Sequence, residues 1–172
     1  MDKLYFIVGA SGSGKDYIVN KICESGEYKK VISRTTRLPR KNEKNSHIFV
    51  SNEQADKEFA NALFKTKFDN NRYYVLSEDL EGKDFYIIDP YGVVSAPVNV
   101  FLKYNVRVVY IKETWFKRAC NMFKRGDKIK DIIRRLKNDK KEFKDFEYEA
   151  DYVFSSNDVF YEWFIKEGYK ND

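Results

Sequence analysis

Leu4-Tyr5-Phe6-Ile7-Val8 is an unbroken apolar run that passes directly into Gly9-Ala10-Ser11-Gly12-Ser13-Gly14-Lys15, after which Ile18, Val19 and Ile22 recur at helical spacing. A strand apolar on both faces belongs inside a parallel sheet, not on an exposed edge. Strand, glycine loop, helix is therefore the opening order. The loop fits G-x-x-x-x-G-K, in which glycine torsions let successive N–H groups converge on phosphate oxygens. The following helix turns its positive end toward the same anion, and Lys15 reaches the outer phosphates as a mobile charge. The predicted cradle comprises Gly9, Ser11, Gly12, Ser13, Gly14, Lys15 and Asp16.

Asp16 stands where such loops carry Ser or Thr to ligate Mg²⁺. A carboxylate is also a hard oxygen donor, so either the metal site is rebuilt around Asp16 or nucleotide binding is weakened. The first is the expectation.

Further apolar strands are predicted at Val31-Ile32, Phe85 to Ile88 (ending at Asp89), Val106 to Ile111 and Tyr152 to Phe154. Helices are predicted from Asn52 as N-cap with Phe59 and Leu63 on the buried face, from about Thr114 to Lys124, from about Ile129 to Phe146, and at the end of the chain. Strands alternating with helices imply a parallel sheet covered on both sides. Phe64 to Phe68 and Arg72 to Leu76 flank Asp69-Asn70-Asn71 as a hairpin and break that rhythm, marking an inserted lobe. Trp115, Phe116, Phe123, Trp163 and Phe164 recur at helical spacing and read as core, and Cys120 as a small buried residue.

With 172 residues, 42% of them hydrophobic and 34% charged, the chain suits one domain. No apolar run reaches membrane-spanning length, and no secretory signal is expected. Two distant thiols, Cys23 and Cys120, suit a reducing interior, hence a cytoplasmic protein. The single histidine, His47, excludes a multi-histidine metal centre. The net charge of +5 suits an anionic partner. The cations from Lys124 to Lys144 are interleaved with Asp127, Asp131, Asp139, Glu142 and Asp145, the pattern of a salt-laced exposed helix rather than a nucleic-acid face.

Ser33-Arg34-Thr35-Thr36-Arg37-Leu38-Pro39-Arg40 sets arginines three residues apart beside hydroxyls, a cluster suited to a dianionic phosphate. Combined with the phosphate loop, it resembles the guanylate kinase family, whose S-x-T-T-R-x-x-R segment binds the acceptor monophosphate. Ile48-Phe49-Val50-Ser51, Tyr73-Tyr74 and Ile87-Ile88-Asp89 follow in the family's order. Arg125-Gly126 and Arg135-Leu136 are similar to its lid, and Asn157 to an asparagine near its end.

The resemblance implies an α/β P-loop NTPase fold: three layers, α/β/α, around a parallel sheet, with an inserted acceptor-binding lobe and a short lid. The single domain would span 1–172, with its core at 1–33 and 81–172, the lobe at about 34–80 and the lid at about 121–130. It implies ATP- and Mg²⁺-dependent phosphoryl transfer to (d)GMP or a related (deoxy)nucleoside monophosphate, by a monomer or homodimer with no membrane or nucleic-acid partner. Lys15, Arg37, Arg125 and Arg135 would be catalytic. Ser33, Arg37, Arg40, His47, Tyr74 and Asp89 would hold the acceptor, and Asp16 and Asp89 the metal. Two rival functions are a non-catalytic binding module of the same family and a kinase acting on another phosphorylated acceptor or on nucleic acid.

Several matches to the family's pattern fail together. His47 replaces a tyrosine that contacts acceptor phosphate. The guanine-reading glutamate falls on Lys65 or, one residue on, Thr66, and the guanine-reading serine on Leu76 or Ser77. Asn121 replaces the first lid arginine, with Arg118 one turn earlier as a candidate substitute. Phosphate-reading groups persist while base-reading groups do not, which points to an acceptor other than GMP or to GMP held differently.

Overall fold

A computed structural model describes residues 3–39, 47–68 and 70–168. From the N-terminus, β1 (Tyr5–Gly9) leads through the glycine loop to α1 (Lys15–Cys23), then β2 (Arg34–Thr35) and β3 (Ile48–Phe49). Next come α2 (Asn52–Glu58), the hairpin strands β4 (Phe64–Phe68) and β5 (Asn71–Val75), and α3 (Ser77–Leu80). The chain returns through β6 (Phe85–Ile87), α4 (Pro90–Val94), α5 (Val98–Lys103) and β7 (Arg107–Ile111). It closes with α6 (Trp115–Lys124), α7 (Ile129–Glu142), β8 (Tyr152–Phe154) and α8 (Asn157–Trp163).

The first sheet runs β6-β1-β7-β8 and is parallel throughout, as the apolar runs predict. Period two in β1 divides its side chains between two cores. Leu4, Phe6 and Val8 pack with Tyr86, Val108, Tyr110 and Phe146 on one face. Tyr5 and Ile7 pack with Ile18, Val19 and Ile22 of α1 and with Phe160 and Phe164 on the other. A parallel sheet buried on both faces is what joins strand end to helix start, and so fixes the glycine loop at the sheet's carboxyl edge.

The second sheet, β3-β2-β5-β4, is mixed: β2 pairs parallel with β3 and antiparallel with β5. Phe64 ties it to the first core, its ring centroid 5.6 Å from that of Phe6 and 5.1 Å from that of Tyr86. Asn70, with φ 59, turns the predicted hairpin, a conformation asparagine tolerates well.

Several boundaries differ from the sequence reading. Val31-Ile32 forms no strand; Lys30 makes a single parallel bridge to Phe85 before the chain leaves for the second sheet. Ser51, not Asn52, caps α2, accepting from Gln54 N at 3.1 Å, and Ala55 is the buried residue of that helix. Leu63 lies beyond α2 altogether, after a short 3₁₀ turn at Phe59–Asn61. The helix predicted to Phe146 ends at Glu142, and Asp145 at φ 60 redirects the chain. The helices α3, α4 and α5 carry too few residues for periodicity to reveal them.

The aromatic reading of α6 is reversed. Trp115, Phe116 and Phe123 are 68%, 64% and 66% exposed, and its buried face carries Arg118 and Met122 instead. Phe164 is buried and Trp163 half-buried, as expected, while Cys120 is half-buried. Among the described residues, no helix is long and apolar enough to cross a membrane.

Candidate functional site

The glycine loop needs its glycines. Gly12 (φ 79) and Gly14 (φ 84) occupy the left-handed region. A Cβ on Gly12 would stand 2.5 Å from the Arg118 carbonyl oxygen, and one on Gly14 2.7 Å from Asn157 Nδ2. Helix α1 starts at Lys15 with no side-chain cap, which leaves its first-turn amides to an anion. The Lys15 ammonium lies 3.6 Å from the exposed Asp16 carboxylate. Ser13 turns its hydroxyl inward, buried beside Gly9 and without a hydrogen-bond partner among the described residues, and its N–H donates to the Ala10 carbonyl at 3.0 Å.

The loop opens onto a cavity of about 620 Å³, lined by Ser11 to Tyr17 (except Ser13), Lys117, Asn121, Arg125, Arg135 and Asn157. The Arg125 guanidinium donates to Asp127 at 3.1 and 2.6 Å. That pairing raises the arginine's pKa and lowers that of Asp127. Asn121 donates to the Gly12 carbonyl at 2.8 Å. Arg118 does not take the place of a lid arginine: it is buried, donating to Ser11 O at 2.9 Å and to Asp139.

A second cavity, of about 300 Å³, lies between the sheets and is lined by Ser33, Thr66, Tyr73, Tyr74 and Asp89 among others. Ser33 Oγ is 2.9 Å from His47 Nδ1, so the fold brings together two residues singled out from the sequence. Tyr74 donates to Glu58 at 2.7 Å, and burial, then that carboxylate, pushes its pKa up to about 12. Burial works against ionising Glu58, but Gln54, Tyr74 and Arg34 together hold it below the usual carboxylate range. Arg34 is engaged by Glu58, Glu78 and Asp79, a structural role. Arg37 donates to Leu38 O at 2.9 Å and sits 5.6 Å over the Phe49 ring, and it is not among the residues that line this cavity. Arg40 lies outside the described residues.

Lys65 and Thr66 both line this cavity. Lys65 donates to Ala60 O at 3.1 Å and lies over Phe59, on the α2 side. Thr66 is paired with Tyr73, whose ring meets that of His47 at 5.6 Å. The Ser77 hydroxyl is 3.3 Å from that of Tyr104, and neither Leu76 nor Ser77 lines the second cavity.

A third cavity of about 310 Å³ has lining residues in common with both. It shares Ser11 and Lys15 with the first, and Tyr86 to Asp89 with the second. Asp89 caps α4, accepting from Gly92 N at 2.6 Å, as a strand-end aspartate before proline should. Glu142 also lines the space, and burial raises its pKa, with Asp89 and Asp139 adding to the effect and Lys15 opposing it. Among the described residues no three His, Cys, Asp or Glu side chains converge as a ready-made metal site. Asp16 lines the loop cavity and Asp89 the other two, each with hard carboxylate oxygens.

The guanylate kinase family model matches residues 1–162. The chain belongs to the guanylate kinase family. Over 91% of its length it is 29% identical to a guanylate kinase of Malacoplasma penetrans, covering 86% of that protein. Its fold is similar to the crystal structure of guanylate kinase from Anaplasma phagocytophilum, with TM-score 0.65 and 21% identity, over 99% of this chain and 89% of that one. An uncharacterized protein from Eubacterium ventriosum shares the fold more loosely, with TM-score 0.50 and 13% identity, over 96% and 97% of the two chains. As a guanylate kinase family member the chain is a phosphotransferase, a nucleoside monophosphate kinase.

One site-forming residue, Asp139, escaped the sequence reading, and Arg118 was singled out for a lid role that it does not fill. Asp139 was grouped with the solvated acids of α7, yet it occupies the apolar stripe Ile132, Leu136, Asp139, Phe143, and a charge on such a stripe is the signal that could have found it. Arg118 interrupts the buried face of α6 in the same way.

Proposed function

We propose that this kinase transfers the γ-phosphoryl group of ATP to (d)GMP or a related (deoxy)nucleoside monophosphate. The observation that carries the reading is the shared lining of the three cavities: the central one has Lys15 in common with the loop cavity and Asp89 in common with the inter-sheet cavity. An acceptor phosphate oxygen would attack the γ-phosphorus as its bond to the ADP oxygen breaks. Alignment and positive charge are what such a transfer chiefly requires.

In this reading Ser33, His47, Tyr74, Arg37 and Arg40 bind the acceptor phosphate, and the loop amides with Lys15 bind the donor phosphates. Lys15 spans both ends. Residues from about 121 to 130 form the lid, the second sheet belongs to the acceptor lobe of about 34–80, and Arg125 and Arg135 approach the donor phosphates on closure. Asp16 and Asp89 would hold Mg²⁺ with phosphate oxygens. When bound, that ion neutralises charge on the transferring group.

The base-reading end departs from the family. Lys65 or Thr66 stands where the resemblance implies a glutamate, and neither side chain offers the carboxylate that would accept hydrogen bonds from guanine. The test is a panel of nucleoside and deoxynucleoside monophosphates with Mg-ATP. Turnover of several acceptors, or of one other than GMP, is expected. Efficient turnover of GMP alone would overturn the altered base recognition, and turnover of none would overturn the kinase reading.

A further inference from the structure

Ser11 is gripped at both ends of its peptide by two different helices. From α6, Arg118 Nε donates to the Ser11 carbonyl at 2.9 Å. From α7, Asp139 accepts the Ser11 N–H at 3.0 Å and the Ser11 hydroxyl at 3.3 Å. Arg118 also donates to Asp139, which closes the ring, and the two side chains are only 11% and 8% exposed. The next peptide is held as well: the Gly12 carbonyl accepts from Asn121 at 2.8 Å.

A buried ion pair is a poor source of stability, because desolvation offsets most of its attraction and apolar residues of similar volume do as well. Its distinctive contribution is geometry. Three hydrogen bonds to one residue fix the orientation of the Ser11 peptide at the mouth of the loop. Arg135 lies one turn before Asp139 on α7, and Arg125 directly follows α6. The pair therefore sets the loop against both segments that carry the lid arginines.

We propose that Arg118 and Asp139 are positioning residues for phosphoryl transfer, latching α6 and α7 to Ser11 so that the loop amides and the lid arginines share one register around the donor phosphates. The proposal rests on the kinase reading above. Neither residue lines the inter-sheet cavity, and Asp139 lines the central one beside Ser11 and Lys15, so the donor side is where their loss should be read.

The decisive variant is Arg118→Leu combined with Asp139→Ala, which removes both charges and strands neither. Single removal of Asp139 would leave a buried, unpaired guanidinium and is expected to destabilise the fold. The measurements are chemical denaturation, calorimetric binding of Mg-ATP, and separate KM values for ATP and for the acceptor that the wild-type protein turns over best. The double variant is expected to stay folded, to bind Mg-ATP about tenfold more weakly, and to keep its acceptor KM within about twofold. Arg118→Lys keeps the charge pair but loses the planar fork, and should fall between the two. Nucleotide affinity equal to wild type in the double variant, or equal losses for donor and acceptor, would overturn the proposal. Should the double variant fail to fold, Arg118→Lys decides on the same two constants. Wild-type protein that binds no Mg-ATP would overturn the kinase reading itself, and the proposal with it.

Discussion

Gly12→Ala and Gly26→Ala impose nearly the same backbone demand, with φ 79 and 80, and differ in what the added methyl meets. Forcing an L-residue into the left-handed region costs about 1–2 kcal/mol at either position. At Gly26 the new Cβ finds nothing within 4 Å. At Gly12 it stands 2.5 Å from the Arg118 carbonyl oxygen and 3.1 Å from Met122 Cγ. The first distance falls about 0.8 Å short of an ordinary C···O contact of about 3.3 Å. The obstructing atom is helix backbone and cannot rotate away, so the loop must move, at a further cost of about 1–3 kcal/mol. Urea denaturation should therefore place Gly12→Ala about 1–3 kcal/mol below Gly26→Ala. A displacement near 1 Å at a phosphate-positioning loop costs roughly a hundredfold in rate, while the Gly26 variant keeps its activity. Equal stability losses, with Mg-ATP turnover intact in Gly12→Ala, would refute the close packing of loop on α6.

Lys15→Ala should retain the fold and lose turnover by about a thousandfold or more, because the lysine is the cation shared by the donor and central cavities; unchanged turnover by steady-state assay would remove its role. Glu58 should shape the acid limb of stability. Its carboxyl is held below the usual range, so the stability it contributes is present above its unfolded value and is lost as pH falls through the folded one. Denaturation at pH 7 and pH 3 should therefore show a smaller acid loss in Glu58→Gln than in wild type, and identical losses would contradict the assignment. Tyr74 acts at the other end of the scale: raised to about 12, it contributes stability below its ordinary value that disappears as pH rises through the folded one. Tyr74→Phe should flatten that alkaline limb.

How much was legible depended on whether a signal was local. The strand β1, the glycine loop and α1 could be read because apolar continuity, glycine torsions and helical period fall within 20 residues of one another. The hairpin around Asn70 could be read for the same reason. Val31-Ile32 misled because two β-branched residues look like a strand, while the partner they need is reduced to one bridge at the sheet edge. The aromatics of α6 misled because spacing defines a face without saying which way it points. Tertiary contact with the loop turned Arg118 and Met122 inward and left Trp115, Phe116 and Phe123 outside. The same long-range origin hid the Arg118–Asp139 pair, whose partners are 21 residues apart and whose shared target lies more than 100 residues earlier. In the candidate site, Ser33 and His47 were chosen separately and meet in space, whereas Lys65 and Thr66 both line the inter-sheet cavity.

Lining residues shared between the donor and acceptor cavities imply that two anionic ends are held at once, and a bisubstrate ligand tests this. Calorimetry should compare adenosine and the preferred acceptor nucleoside, joined through five phosphates, with ATP and with the acceptor monophosphate alone. Simultaneous occupation of the donor and acceptor cavities predicts that the joined ligand binds at least about a hundredfold tighter than either part, and that Lys15→Ala removes most of the gain. An affinity no better than that of ATP would mean the two cavities do not act as one site, and would contradict the account.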